Sequence, residues 1–93
     1  MAVQIHIRRN VTDSLAEDLT GLLQKMRGLC IVQPGYVSGQ TLKRIDKPGE
    51  QLVISTWQTL EHWETWFHSN ERQGVQAEID MLLGDETIYE IYG

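Results

Sequence analysis

Ninety-three residues with 41% hydrophobic content make one globular domain spanning 1–93, with a single core and no room for a second. Eight Lys and Arg against thirteen Asp and Glu leave a formal charge of −5, and the basic runs go no further than Arg8-Arg9 and Lys43-Arg44, which excludes the clustered positive face that nucleic acid requires. The single Cys30 closes no internal disulfide and has no companions for a cysteine metal site, which fits a reducing cytoplasm, and no apolar run reaches the length of a signal segment or a membrane span.

From Val3 to Arg8 apolar and polar residues alternate with period two, the pattern of a strand with one buried face. His6 shares the parity of Gln4 and Arg8 and so points away from Val3, Ile5 and Ile7, towards the far side of the sheet. Cap-type residues at Thr12-Asp13-Ser14 precede Leu15, Leu19, Leu22, Leu23 and Met26, a stripe that predicts a helix over 13–27, ended by Gly28. Pro34-Gly35 marks a turn, Tyr36 to Ile45 reads as a strand, Asp46-Lys47-Pro48-Gly49 is a second turn, and Gln51 to Trp57 completes a hairpin. The pattern is helical again from Leu60 to about Leu83, with a break and recap at Ser69-Asn70-Glu71, and a last strand covers 87–92. The order β-α-β-β-α-β is that of a ferredoxin-like α+β domain, a four-stranded antiparallel sheet with helices packed on one face.

The other face also needs a cover. Val37, Leu52, Ile54, Ile88 and Ile91 cannot all lie on one side of the sheet, so a lone subunit exposes an apolar patch. Sheet-to-sheet dimerisation buries it, and a domain this small, which hides only about two-thirds of its unfolded surface, gains stability from the partner.

All three tryptophans fall in the ten positions from 57 to 66. Trp57 ends the third strand, and Leu60, Trp63 and Phe67 recur at helical spacing as a core stripe. His62 and Trp66, four residues apart, stand on the shoulder of that stripe, where a pocket wall would be. Two readings of the cluster stay open: the core of a small domain, or the lining of a pocket for a flat aromatic ligand, whose oxygen atoms would suit the indole N–H groups. His62 is either a general base titrating near neutrality or a helix residue beside Glu61. His68 reads as solvated. No His, Asp or Glu set has metal-ligand spacing, since His62 and Glu64 project from nearly opposite sides of a helix, and no Ser-His-Asp set is legible.

Pro34-Gly35-Tyr36, then Val53-Ile-Ser-Thr-Trp57 leading into Leu60-Glu-His-Trp-Glu-Thr-Trp-Phe-His-Ser69, resembles the antibiotic biosynthesis monooxygenase domain of the dimeric α+β barrel superfamily, over nearly the whole chain from Ala2 to Tyr92. The resemblance implies a homodimer whose two sheets form one barrel, with a pocket in each subunit between sheet and helices. It implies oxidation of a small aromatic, polyphenol or quinol-type molecule by O2 without cofactor or metal. On that reading Trp57 and His62 are candidate catalytic residues, and Tyr36, Trp63 and Trp66 candidate substrate-binding residues. The chain departs from the pattern at Val53, where an Asn is expected, and at Trp63, where a Tyr is common. Haem-degrading members share Trp66, but their axial His would fall near Gln76 and their strand-one Asn near Ile7, which argues against haem. Two other functions remain: a small-metabolite isomerase using Lys43, Arg44 and His62 on an anion, and a dimeric binding module without catalysis.

Overall fold

The computed structural model describes residues 2–93. Its elements are β1 (Val3–Asn10), α1 (Asp13–Cys30), β2 (Tyr36–Lys43), β3 (Glu50–Trp57), α2 (Leu60–Phe67), α3 (Asn70–Leu83) and β4 (Ile88–Tyr92). The four strands form one antiparallel sheet in the order β2-β3-β1-β4, the ferredoxin-like arrangement expected from the sequence.

Residues paired across neighbouring strands share a face. Ile5 pairs with Ser55, and Ile7 with both Val53 and Tyr89, so these side chains lie on the helix side together with Arg9 and Trp57. His6 pairs with Ile54 and Glu90, and Gln4 with Tyr92, on the open side. There the His6 and Tyr92 rings approach to 4.5 Å and Arg8 meets Glu90 at 3.2 Å. Leu52 and Ile54 belong to the same open face, as does Ile88, which is exposed. Ile91 pairs with Ile5, so the sequence expectation of apolar side chains on both faces is met.

Several boundaries differ from the sequence reading: β1 continues to Asn10, β3 starts at Glu50 and β4 at Ile88, and the ends of α1 and β2 move as well. Helix α1 runs through Gly28 to Cys30, because Gly28 keeps helical backbone on an exposed flank while Met26, Leu29 and Cys30 pack against the core. A glycine inside a helix costs about 1 kcal/mol, which such packing offsets. Strand β2 stops at Lys43, because Arg44 leaves the sheet to bind Asp46 at 2.7 Å and Glu50 at 2.9 Å across the hairpin turn. The recap between α2 and α3 falls where the sequence put it: the Ser69 hydroxyl accepts from the Arg72 N–H and donates to the Trp66 carbonyl.

The core has two clusters. Ile5, Ile7, Trp57, Trp63 and Trp66 pack between β1, β3 and α2, while Val11, Leu19, Val75 and Ile79 pack between α1 and α3, and Met26 and Leu29 touch both. Trp57 is wholly buried, edge-on to Tyr36 at 5.5 Å and to Trp63 at 5.9 Å. Such pairs add about 0.5–1.5 kcal/mol each beyond the area they bury.

Gly35 fixes the entry to β2. Its φ is +84°, and a Cβ there would lie 2.2 Å from the His62 ring. Gly35→Ala is expected to lose more than about 1 kcal/mol of stability in denaturant melts, from the left-handed backbone and the clash together. Adding His62→Gly, which removes both the ring and the His62 Cβ that would stand 2.5 Å away, should recover only the clash. Full recovery in the double variant would show that the backbone term is absent.

Candidate functional site

A cavity of about 330 Å³, bounded by sheet and helices, lies between the two core clusters. Its floor is Ile7 and Arg9 of β1, Val53 and Ser55 of β3, and Tyr89 of β4. Its roof is the α1 flank carrying Leu23, Met26, Arg27 and Cys30. Trp63, Trp66 and Arg72 close the helical end, and Tyr36, Gly39, Thr41 and Lys43 form the rim along β2. Position 39 matters for this rim: a Cβ on Gly39 would come within 2.6 Å of the Tyr36 hydroxyl, so glycine is what lets that ring lie over the strand.

Of the residues expected from the sequence, Tyr36, Trp63 and Trp66 meet at this cavity. Trp57 stands one layer behind, its ring supporting Tyr36 and Trp63 and its indole N–H donating to Ser55 Oγ at 3.1 Å. The Ser55 hydroxyl itself lines the cavity, leaving its proton for a ligand oxygen. Trp63 and Trp66 form no side-chain hydrogen bond among the described residues. His62 is not in the lining. It occupies the first turn of α2, where its N–H donates to Thr59 Oγ1 at 3.2 Å and its Nδ1 lies 2.7 Å from that hydroxyl, a cap for the helix N-terminus. Lys43 reaches the rim, but Arg44 is tied to Asp46 and Glu50 at the hairpin tip, so Lys43, Arg44 and His62 are not gathered in one place. Among the described residues no three His, Cys, Asp or Glu side chains stand together as a metal set.

The site also holds residues the sequence did not single out. Arg9 and Arg72 are both buried. Arg72 Nη1 donates to the Phe67 carbonyl at 3.1 Å, Nη2 donates to the Tyr89 hydroxyl, and the guanidinium stacks on the Phe67 ring at 4.3 Å. Arg9 Nη2 reaches Gln76 Oε1 at 3.4 Å, while its buried Nε finds no acceptor. Burial lowers the pKa of both guanidiniums, and the Arg72 charge lowers that of Arg9 further. Burial pushes the Tyr89 hydroxyl up against the opposing pull of Arg72 and Arg9, so it stays a neutral phenol. The Cys30 thiol is pushed up to about 11, again by burial, and is no nucleophile at neutral pH. The four cations Arg9, Arg27, Lys43 and Arg72 face the cavity, and its lining contains no carboxylate, although the whole chain carries −5.

A signal for these residues existed. Arg9 continues the inward parity of Val3, Ile5 and Ile7, and Arg72 begins the helical stripe Arg72, Val75, Gln76, Ile79 that α3 buries. The charge of each argued against inward placement, and only the tertiary arrangement reveals the space that receives them.

Solved structures with the same architecture are numerous. A conserved protein from Methanosarcina mazei Go1 superposes with a TM-score of 0.89 at 13% identity, over 99% of this chain and 91% of that one. SnoaB, a cofactor-independent oxygenase from Streptomyces nogalater, gives 0.85 at 16% identity over 99% and 91%. Rv0793 from Mycobacterium tuberculosis gives 0.86 at 16% over 100% and 94%. At these identities the likeness concerns the fold. A search of curated proteins by sequence finds no match. The family profile described as antibiotic biosynthesis monooxygenase matches residues 2–78, which include β1, the hairpin, the tryptophan cluster and α3 as far as residue 78. The chain therefore belongs to the antibiotic biosynthesis monooxygenase family.

Proposed function

We propose that this protein is a cofactor-independent monooxygenase that oxidises a small electron-rich aromatic molecule, of polyphenol or quinol type, held between the sheet and the helices, and that it works as a homodimer joined through the open sheet face. The observation that carries the reading is the cavity itself: about 330 Å³, walled at one end by Trp63 and Trp66, and lined by cations without a carboxylate. The indoles and the Tyr36 ring offer flat apolar surface to an aromatic ligand. Four cations in a partly dehydrated space lower the pKa of a ring hydroxyl, and the ionised ring is electron-rich enough to reduce O2. For a substrate with a ring methylene the balance is one O2 consumed, both methylene hydrogens lost, one oxygen atom placed on that carbon as a carbonyl and the other released as water. Trp57 enters as a positioning residue, through the Ser55 hydroxyl it holds and the two rings it backs. The family membership and the SnoaB description as a cofactor-independent oxygenase support the class of chemistry.

The test is incubation of the purified protein with anthrone or a naphthoquinol, in air and under argon, with an oxygen electrode and product absorbance as readouts. The expected result is uptake of one O2 per product formed, with no added flavin or metal. Val53, a hydrocarbon on the cavity floor where the family pattern has an amide, favours a second reading, a binding module that holds the aromatic without converting it. Saturable binding with oxygen uptake no faster than in protein-free buffer would establish that module instead.

A further inference from the structure

Arg9 and Arg72 present a chemical demand that the described residues of the chain leave unmet. A guanidinium does not shed its proton, so burial leaves a full positive charge in a poor solvent. Nature usually answers with a carboxylate. Here the four ion pairs among the described residues employ Arg8, Arg44 and Lys47, and none employs Arg9 or Arg72. Asp80 attracts both cations, but its carboxylate accepts from the Gln76 amide at 2.8 Å and belongs to the outer groove beyond Arg72, away from the cavity lining. The partners the two guanidiniums do have are neutral oxygens: the Gln76 amide for Arg9, and the Phe67 carbonyl and Tyr89 hydroxyl for Arg72.

We propose that the aromatic ligand of this cavity is a carboxylic acid, its carboxylate accepting hydrogen bonds from the Arg9 guanidinium beside Arg72 while its ring lies against Trp63 and Trp66. This rests on the aromatic-ligand cavity described under the proposed function and names its substrate class. Two features of the site suit a carboxylate in particular. Of the six guanidinium nitrogens three are committed to the protein, two of Arg72 and one of Arg9, and among the remaining three the Arg9 Nε is buried without a partner. A carboxylate has two oxygens to satisfy with a planar fork, whereas a phosphate brings three and a second charge. The charged groups also sit at the opposite end of the sheet floor from Tyr36, so a ring anchored by its acid group would extend over Ile7, Val53 and Ser55 towards the rim.

Calorimetric titration with 2-naphthoate, its neutral isostere 2-naphthamide and 2-naphthyl phosphate tests the assignment on ligands that the protein need not oxidise. The expected result is naphthoate binding roughly tenfold to a hundredfold tighter than the amide, the span of a charge-assisted hydrogen bond to a buried cation. Arg9→Gln should reduce that ratio to within about threefold of unity, and Arg9→Lys should restore part of it. Equal or weaker binding of naphthoate, a ratio that survives in Arg9→Gln, or tighter binding of the phosphate would each overturn the inference. Should Arg9→Gln fail to fold, the ratio in the parent protein decides alone. The oxidation reading fails independently, through absent oxygen uptake on anthrone, and leaves these binding ratios standing.

Discussion

Trp57→Ala is expected to destabilise the domain by about 3–5 kcal/mol, the cost of deleting a large buried aromatic side chain. The ring is wholly buried, two further aromatic rings lean on its edges, and its N–H is the partner of the buried Ser55 hydroxyl. Truncation therefore opens a void, removes two aromatic contacts and leaves a buried hydroxyl short of a donor. For a domain of this size the melting temperature should fall by roughly 12–40 °C, taking about 4–8 °C per kcal/mol. Trp66→Phe supplies the contrast. Its ring is also buried, but it faces the cavity, so exchanging indole for phenyl keeps most of the apolar volume and should cost under about 1.5 kcal/mol while weakening aromatic ligands. Thermal melts monitored by circular dichroism, beside calorimetric titration of an aromatic ligand, separate the two. If Trp57→Ala melts within a few degrees of the parent while Trp66→Phe collapses, the order of core and lining is the reverse of the one described.

Ile54→Glu is expected to convert a dimer of twice the 10.7 kDa chain mass into monomer or unfolded chain. Register decides why this position and not its neighbour: Ile54 pairs with His6 and Gln40 on the open face, whereas Val53 pairs with Ile7 and lines the cavity. In a sheet-to-sheet dimer a carboxylate at 54 lands in the buried centre of the contact, and an unpaired buried charge costs several kcal/mol, enough to separate subunits held at micromolar affinity. Sedimentation at micromolar concentration measures the outcome. A parent protein that sediments as a monomer under those conditions would remove the sheet-face dimer from the proposal.

How much of this was legible in the sequence depended on whether the pattern was local. The alternation in β1, the stripe of α1, the Pro-Gly turn before Tyr36 and the recap at Ser69 are read by near neighbours, and the structure has each of them. The end of α1 was misplaced because Gly28 stops a helix only where the chain must turn left-handed, and here Leu29 and Cys30 reward continuing. In the site, helical spacing placed Trp66 on a pocket shoulder and Trp63 in the core stripe, and the family resemblance added Trp63 and Tyr36 as binding candidates; all three side chains line the cavity. Arg9, Arg72 and Tyr89 were not, because they come from three elements far apart in sequence and converge only when β1, α3 and β4 are assembled. His62 shows the converse case: a histidine on the shoulder of a helix suggests chemistry, yet its ring is engaged by Thr59 at the first turn.

The strand order has a kinetic consequence. β1 is the first element to be synthesised and occupies an inner position, hydrogen-bonded on one side to β3 and on the other to β4. Both partners are non-local, the nearer of them half the chain away, so β1 must be held in waiting while three helices and a hairpin form around it. Closing such long loops is what slows a small two-state domain, and it places this protein among the slower folders for its length. During that interval Val3, Ile5 and Ile7 form an unpaired apolar ribbon, the kind of segment that templates intermolecular sheets. The alternate residues of that ribbon are Gln4, His6 and Arg8, with Arg9 among the apolar set, and these polar and cationic side chains act as gatekeepers that slow self-association until β4 arrives.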